Sequence, residues 1–271
     1  MTKARDLSVV PNQTLGMKNR LIDTGFIINQ RGYASGASLS AGSYAHDRWK
    51  AGASGCTYTF TQGSLGVPIT ITITAGSLQQ IIEGCNMGEG GTYILSWTGT
   101  AQARINGGSY STSPLIVSGI TAGANTTIEF GTGTVLQPQL EKGSTATSFD
   151  YRPYGTELAL CQRYYYRNTA PSGSHYGSGF NNSTSLALIG VNFPVTMRTA
   201  PSALEQSGTA GNYAIDRAGD FPTCTSVPTF SAANTQMSLV GFTSSGNLTT
   251  GQACMGRSIN SAGYLGWSAE L

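Results

Sequence analysis

Gln139–Arg167 reads QLEKGSTATSFDYRPYGTELALCQRYYYR, and its punctuation marks a seam between two β-rich modules. Gly143 falls in a turn, Phe149 and Tyr151 alternate with polar neighbours as in a closing strand, and Pro153 and Gly155 stop the run. Thr156 then offers an N-cap to a short helical segment, ELALCQRY, with Glu157 in its first turn. A chain of 271 residues is long enough for two ordinary domains, and the seam divides it. The predicted organisation is an arm over 1–18, one sandwich over 19–154 and a second over 155–271.

Upstream of the seam, short runs alternate with turns: CTYTFT (56–61), VPITITIT (67–74), YILSW (93–97), AQARI (101–105), PLIVSGI (114–120) and TTIEF (126–130). Ile69, Ile71 and Ile73 occupy every second position, so they face one side and the intervening threonines the other. That is a half-buried antiparallel strand, because a central parallel strand would be apolar on both faces. LQQIIEG (78–84) fits either one helical turn or a strand. GEGG (88–91) and NGG (106–108) are turns. Downstream, RYYYR, SLALIGVNFPV, NYAID, MSLVGF and GYLGWSAEL continue the β pattern, with Pro201 and Pro222 at strand edges. With no helix long enough for crossovers, the expected fold is all-β: two antiparallel β-sandwich modules of jelly-roll type joined by a short helical segment. Neither a long internal repeat nor a heptad run interrupts this reading.

Only 10% of the residues are charged and the formal net charge is +2. Residues 1–154 hold ten Lys/Arg against eight Asp/Glu, and 155–271 hold five against five. No basic stripe exists for nucleic acid, and no apolar run of membrane-spanning length occurs. MTKARDL is charged with no apolar stretch behind it, so no signal peptide is expected. The polar residues 1–18 read as an arm that orders against a partner. Cys56, Cys85, Cys161, Cys224 and Cys254 show no metal-binding spacing and read as buried free thiols, with a Cys224–Cys254 disulfide as the alternative.

The seam resembles the junction in tail-fibre proteins of tailed bacteriophages and prophages, where QLE-x-G-x-x-AT-x-F-x-x-R-x-Y-G closes one sandwich and EL-x-LCQRYY opens the next. MTKARDL, LIDTGFIINQRG (21–32), YAHDRWK (44–50), VNFPVTMRTAP (191–201) and GYLGWSAEL (263–271) carry the same resemblance, which therefore brackets nearly the full length. Only about a dozen residues separate MTKARDL from LIDTGF, where the family often carries a long repeat-rich shaft, so a short spike, tip or decorating protein is implied. The resemblance implies a carbohydrate-binding-module-like first sandwich and a distal module that makes homotrimer and receptor contacts. It also implies attachment to other virion proteins through residues 1–18, and a virion protein made in the host cytoplasm. Its alternative is a capsid-exterior head fibre or decoration protein.

Little here supports catalysis. His46 and His175 are the only histidines, one per module, and His46 lies in a segment that the resemblance makes structural. A glycan hydrolase would need two carboxylates converging on a groove, and only Asp216 and Asp220 lie close in sequence, where they read as turn residues. No cofactor is called for. By resemblance Asp23 and Glu141 occupy the first and last strands of the first sandwich, where a structural Ca²⁺ would sit, although pairing with Arg31 or Arg48 explains the same charges. Trp49, Trp97 and Trp267 lie in alternating runs and read as core. Tyr110 and Tyr176 lie in Gly/Ser loops, where a ring beside amides and hydroxyls suits a sugar. Within SGSHYGSGFNNSTS (172–185), Tyr176, His175, Asn181 and Asn182 are therefore the expected receptor-reading residues, with Tyr110 as a further glycan contact.

Overall fold

The computed structural model describes residues 17–271, in which β-strand far outweighs helix and the strand pairing is antiparallel throughout. The chain divides into two compact units, Met1–Tyr154 and Gly155–Leu271. Unit 1 contains β1 (Ser38–Leu39), β2 (Lys50–Phe60), β3 (Ile71–Ile82), β4 (Gly91–Thr98), β5 (Ala103–Ile105), β6 (Leu115–Ile120), β7 (Thr126–Phe130) and β8 (Gly133–Lys142). Helix α1 (Tyr154–Gln162) follows. Unit 2 carries β9 (Tyr165–Asn168), β10 (His175–Asn181), β11 (Leu186–Asn192), β12 (Glu205–Gln206), β13 (Tyr213–Asp216), β14 (Thr229–Ala233), β15 (Met237–Thr243), β16 (Ala253–Ser258) and β17 (Leu265–Ser268).

In unit 1 the strands follow the order β1-β2-β3-β8-β4-β6, with β7 also paired to β3 and β5 to β7. β3 achieves two partners by splitting: Ile71–Ile73 pair with β8, and Leu78–Ile82 pair with β7. The split lies at Gly76, whose φ is +69° and whose absent Cβ would fall 2.0 Å from the Gly55 carbonyl oxygen of β2. Any side chain there would push the two strands apart. β8 bends in the same way. Its start pairs with β3, its remainder from Leu136 pairs with β4, and Gln137 at φ +53° followed by Pro138 makes the corner. Ile69, Ile71 and Ile73 are buried as their alternation requires, beside Trp49, Tyr58, Trp97, Phe130 and Leu140. Of the 78–84 segment, the residues to Ile82 are strand, with Leu78, Gln80 and Ile82 buried in period two, and Gly84 opens a single 3-10 turn.

Three local expectations change. LIDTGFIINQRG forms turns and not a strand, with Asp23 and Phe26 in the left-handed region, and its backbone is satisfied by side chains. The Gln80 amide accepts from Ile22 N–H and donates to Ile22 C=O, both at 2.7 Å, while Asp23 Oδ1 accepts from Ile27 and Ile28 N–H at 2.8 and 3.1 Å. The closing strand ends at Lys142, and Phe149–Tyr151 is irregular. There the Thr147 and Asp150 N–H groups donate to the Glu141 and Gln139 side chains at 2.8 Å, which removes them from any ladder. Helix α1 starts at Tyr154, two residues before the expected cap, because Pro153 already fixes a helix-compatible φ and needs no N–H partner.

Unit 2 has a six-stranded sheet, β13-β16-β10-β11-β15-β14, and a three-stranded one, β12-β17-β9. One apolar cluster draws on both: Trp267 and Leu265 from β17, Ile189 and Val191 from β11, Val240 and Phe242 from β15, Tyr213 and Ile215 from β13. Trp267 stacks on Tyr166 of β9 with ring centroids 5.9 Å apart. Of the arm expected over 1–18, residues 1–16 lie outside the described residues. Lys18 belongs to unit 1, where its ammonium donates to Thr147 Oγ1 and Ser148 C=O at 2.6 Å.

Candidate functional site

The expected receptor loop at 172–185 is largely strand β10, and its residues part company. His175 is exposed, but Tyr176 is only 5% exposed and packs beside Tyr213 and Phe242 at centroid distances of 5.9 and 6.3 Å. Burial pushes its phenol up to about 12. Asn181 is also buried and donates to the Thr249 carbonyl at 3.1 Å, which makes it a structural residue. Asn182 is exposed in the turn that follows, its N–H bonded to Leu186 C=O at 2.8 Å. The ring that β10 presents to solvent is Phe180, 47% exposed. Tyr176 and Phe180 are four residues apart, so an uninterrupted strand would aim them the same way. A register shift between His175 and Gly177 against β16 separates their faces.

Around Phe180 the outer face of the six-stranded sheet assembles residues distant in sequence. The register sets Ser178 beside Met255 and Met255 beside Asp216, one strand each from β10, β16 and β13. His175 Nε2 lies 2.8 Å from Asp216 Oδ2, and Arg257 Nη1 donates to the same oxygen at 3.1 Å. The His175 hydrogen bond, aided by Arg257, holds the Asp216 carboxyl below its usual range against the opposing effect of burial. Arg257 also lies over the Phe221 ring, 4.1 Å from its centroid, and Phe221 is itself about half exposed. Arg217 pairs with Asp220 at 3.3 Å and donates to the Asn247 carbonyl. Phe180, Met255, Ala253, Ala218, Arg217 and Asp216 line a mostly apolar cleft of about 770 Å³. Across this face Asp216 and Asp220 are matched by Arg257 and Arg217, so it is nearly neutral, and Phe180, Phe221 and Met255 stand exposed on it. Such a surface loses little on desolvation and suits an uncharged or amphipathic partner.

Tyr110 in unit 1 is set by a hairpin. Asn106 and Gly107, both at positive φ, turn the chain after β5, and Ser111 and Ala103 exchange hydrogen bonds at 2.9 Å. The ring, 36% exposed, has the Arg104 guanidinium 4.7 Å from its centroid and donates its hydroxyl to Glu129 Oε1 at 3.0 Å. Arg104 reaches Glu129 Oε2 through Nε and Nη2, each at 2.8 Å. Burial alone would raise the Glu129 carboxyl, but bonds from Ser77, Arg104, Gln79 and Tyr110 outweigh it and hold it below the usual range.

The calcium candidates have other roles. Asp23 Oδ1 caps the turn at Ile27 and Ile28, and Glu141 receives the Thr147 N–H and hydroxyl and the Gln139 amide at 2.7–2.9 Å. Among the described residues no group of three or more His, Cys, Asp or Glu is placed to hold a metal ion. Cys224 and Cys254 are not bridged, and Cys85 is exposed where burial was expected. His46 is buried with Nδ1 2.7 Å from the Tyr58 hydroxyl, and desolvation lowers its pKa to about 4. Trp49, Trp97 and Trp267 are buried. No helix among the described residues is long and apolar enough to cross a membrane.

No protein-family model matches the chain, and no curated protein matches it either. Sequence reasoning missed Phe180, Arg257, Phe221 and Met255, and it read Asp216 as a turn residue where the structure places it at the end of strand β13. A signal existed for Phe180, which lies in the same Ser/Gly-rich run as Tyr176, but the bulge that chooses between them is visible only in the register.

Proposed function

We propose that the chain is a non-enzymatic virion protein of a tailed phage or prophage, a short tail-fibre or spike subunit that mediates attachment to the host surface. In this reading each unit is a jelly-roll-like sandwich and the subunits form a homotrimer. Residues 1–18 bind other virion proteins, and unit 2 contacts a host-surface glycan or protein. The sequence resemblance at the seam motivates the class, and one observation carries the assignment of contact to unit 2. Three large apolar side chains, Phe180, Phe221 and Met255, stand 39–49% exposed around the charge-balanced His175, Asp216 and Arg257. Exposed rings grouped about a cleft mark recognition surfaces more often than they occur by chance on a monomer.

The test is localisation on the particle with labelled antibodies, followed by competition of virus adsorption with the purified full-length chain. Label at the tail tip and blocked adsorption are expected. Label spread over the capsid would replace this reading with the decoration protein. Clearing of host polysaccharide by the purified chain would replace it with the hydrolase.

A further inference from the structure

The cleft of unit 2 is one end of a larger apolar strip. Alternation in β11 and β15 sends Ile189 and Val240 into the core and leaves Leu186, Leu188 and Leu239 partly exposed on the opposite side of the sheet. The register joins these to the cleft: Leu188 lies beside Phe180, Phe180 beside Ala253, and Ser178 beside Met255. A sheet face that meets water carries polar residues at such positions. Resting on the attachment reading above, we propose that this face recognises a polypeptide and not a glycan. Its occupant is an uncharged segment of a host-surface protein that lays one or two large apolar side chains across Phe180, Met255 and Leu188.

The hydrogen-bonding inventory decides between the two classes. His175 and Arg257 both bond Asp216 Oδ2, Arg217 is turned to Asp220 and to the Asn247 carbonyl, and β10 and β16 are each paired on both sides. Among the described residues of the face, the Ser178 hydroxyl and Asp216 Oδ1 are what remain for a ligand. A pyranose carries hydroxyls around its edge, and against Phe180, Met255 and Ala253 most of them would lose water without gaining a partner. The apolar side chains of a peptide need no partner, and one backbone N–H can donate to Asp216 Oδ1. Met255, unbranched and polarizable, adapts to side chains of differing shape.

Charge narrows the occupant further. Arg257 is matched by Asp216 and Arg217 by Asp220, so an acidic segment or a lipid phosphate finds no open cation and meets the Asp216 carboxylate. A basic segment meets the same two guanidiniums. The cleft of about 770 Å³ is sized for more than a single small ring.

The test measures binding of the labelled full-length chain to host cells that are untreated, shaved with proteinase K, or oxidised with periodate. Shaving should lower binding at least about tenfold, and periodate should change it less than about twofold. Phe180→Ser should lose at least about tenfold on untreated cells, as should Ser178→Glu, which sets a charge in the middle of the strip. Both positions are exposed, so the melting temperatures should stay close to the parent's. Binding that survives proteinase K and is lost after periodate would overturn the proposal in favour of a glycan, while leaving attachment through this face intact. Binding that survives both treatments and is reproduced on phosphatidylglycerol vesicles would overturn it in favour of lipid. Unchanged binding by a folded Phe180→Ser chain would remove the face from attachment altogether. Dissociation of that variant in sedimentation, where the parent stays associated, would give the face to a second copy of the chain and overturn the proposal as well.

Discussion

The two units keep their polar groups in different places. Unit 1 buries Asp23, Asp47, Arg48, Glu129 and Glu141, whereas among the described residues of unit 2 the one fully buried charged side chain is Glu157. The buried groups of unit 1 stand in for missing strand ladders: Gln80 serves the backbone of Ile22, Asp23 that of Ile27 and Ile28, and Gln139 with Glu141 that of Asp150 and Thr147. Irregular chain can be buried only when its N–H and C=O groups find such partners. Unit 2 builds its core on paired strands, bulged in β10 and β14, and sets His175, Asp216 and Arg257 on an exposed apolar face. Unit 1 should therefore respond most to pH and to polar substitutions, and unit 2 most to the loss of packed rings.

Trp267→Ala is the largest expected blow to that contrast. It removes a fully buried indole from a core shared by two sheets and should cost about 3–5 kcal/mol. Hydrogen exchange resolved by residue should show the loss in unit 2. An equal loss in unit 1 would mean that the units do not behave separately.

Acid should act the other way. His46 stays neutral in the folded chain down to about pH 4, while the unfolded chain protonates it near 6.5. Between those values the unfolded state takes up a proton that the folded state refuses, so stability falls as pH drops through the window and is constant in this respect above it. A shift of this size corresponds to roughly 3 kcal/mol across the window. Denaturant unfolding at pH 7 and pH 4 should register the loss in unit 1. His46→Gln should flatten that dependence, and a slope unchanged in the variant would assign it to other groups.

Much of the β pattern was legible in the chain, because alternation is local. Ile69, Ile71 and Ile73, the runs at 186–192 and 237–243, and the burial of all three tryptophans follow from period two. The irregular buried segments were not legible, since only tertiary placement brings Gln80 to Ile22, 58 residues away. Nor was the candidate face. His175 and Asp216 are 41 residues apart and meet across the intervening strand β16, and nothing local in either segment announces the pairing. Tyr176 and Phe180 show the same limit at shorter range, where one bulge exchanges the roles that a loop reading assigned.

A smaller effect tests whether the ionic groups of unit 2 serve the surface more than the fold. Asp216→Asn removes the acceptor that carries charge for His175 and Arg257, yet the network is partly exposed. Its cost in stability should be under about 1 kcal/mol. Adsorption to host cells should fall more visibly than the melting temperature, because Arg257 is then free to leave Phe221. A melting loss as large as that of Trp267→Ala would make the network a structural staple.

The most direct measurement compares Phe180→Ala with Tyr176→Ala in the full-length chain, reading melting temperature and binding to host cells side by side. Phe180 is exposed on the outer face, so its loss should leave melting nearly unchanged and lower binding about tenfold. Tyr176 is buried, so its loss should cost about 3 kcal/mol or more of stability in unit 2. A folded Phe180→Ala protein that binds host cells as well as the parent would contradict the assignment of this face as the contact surface.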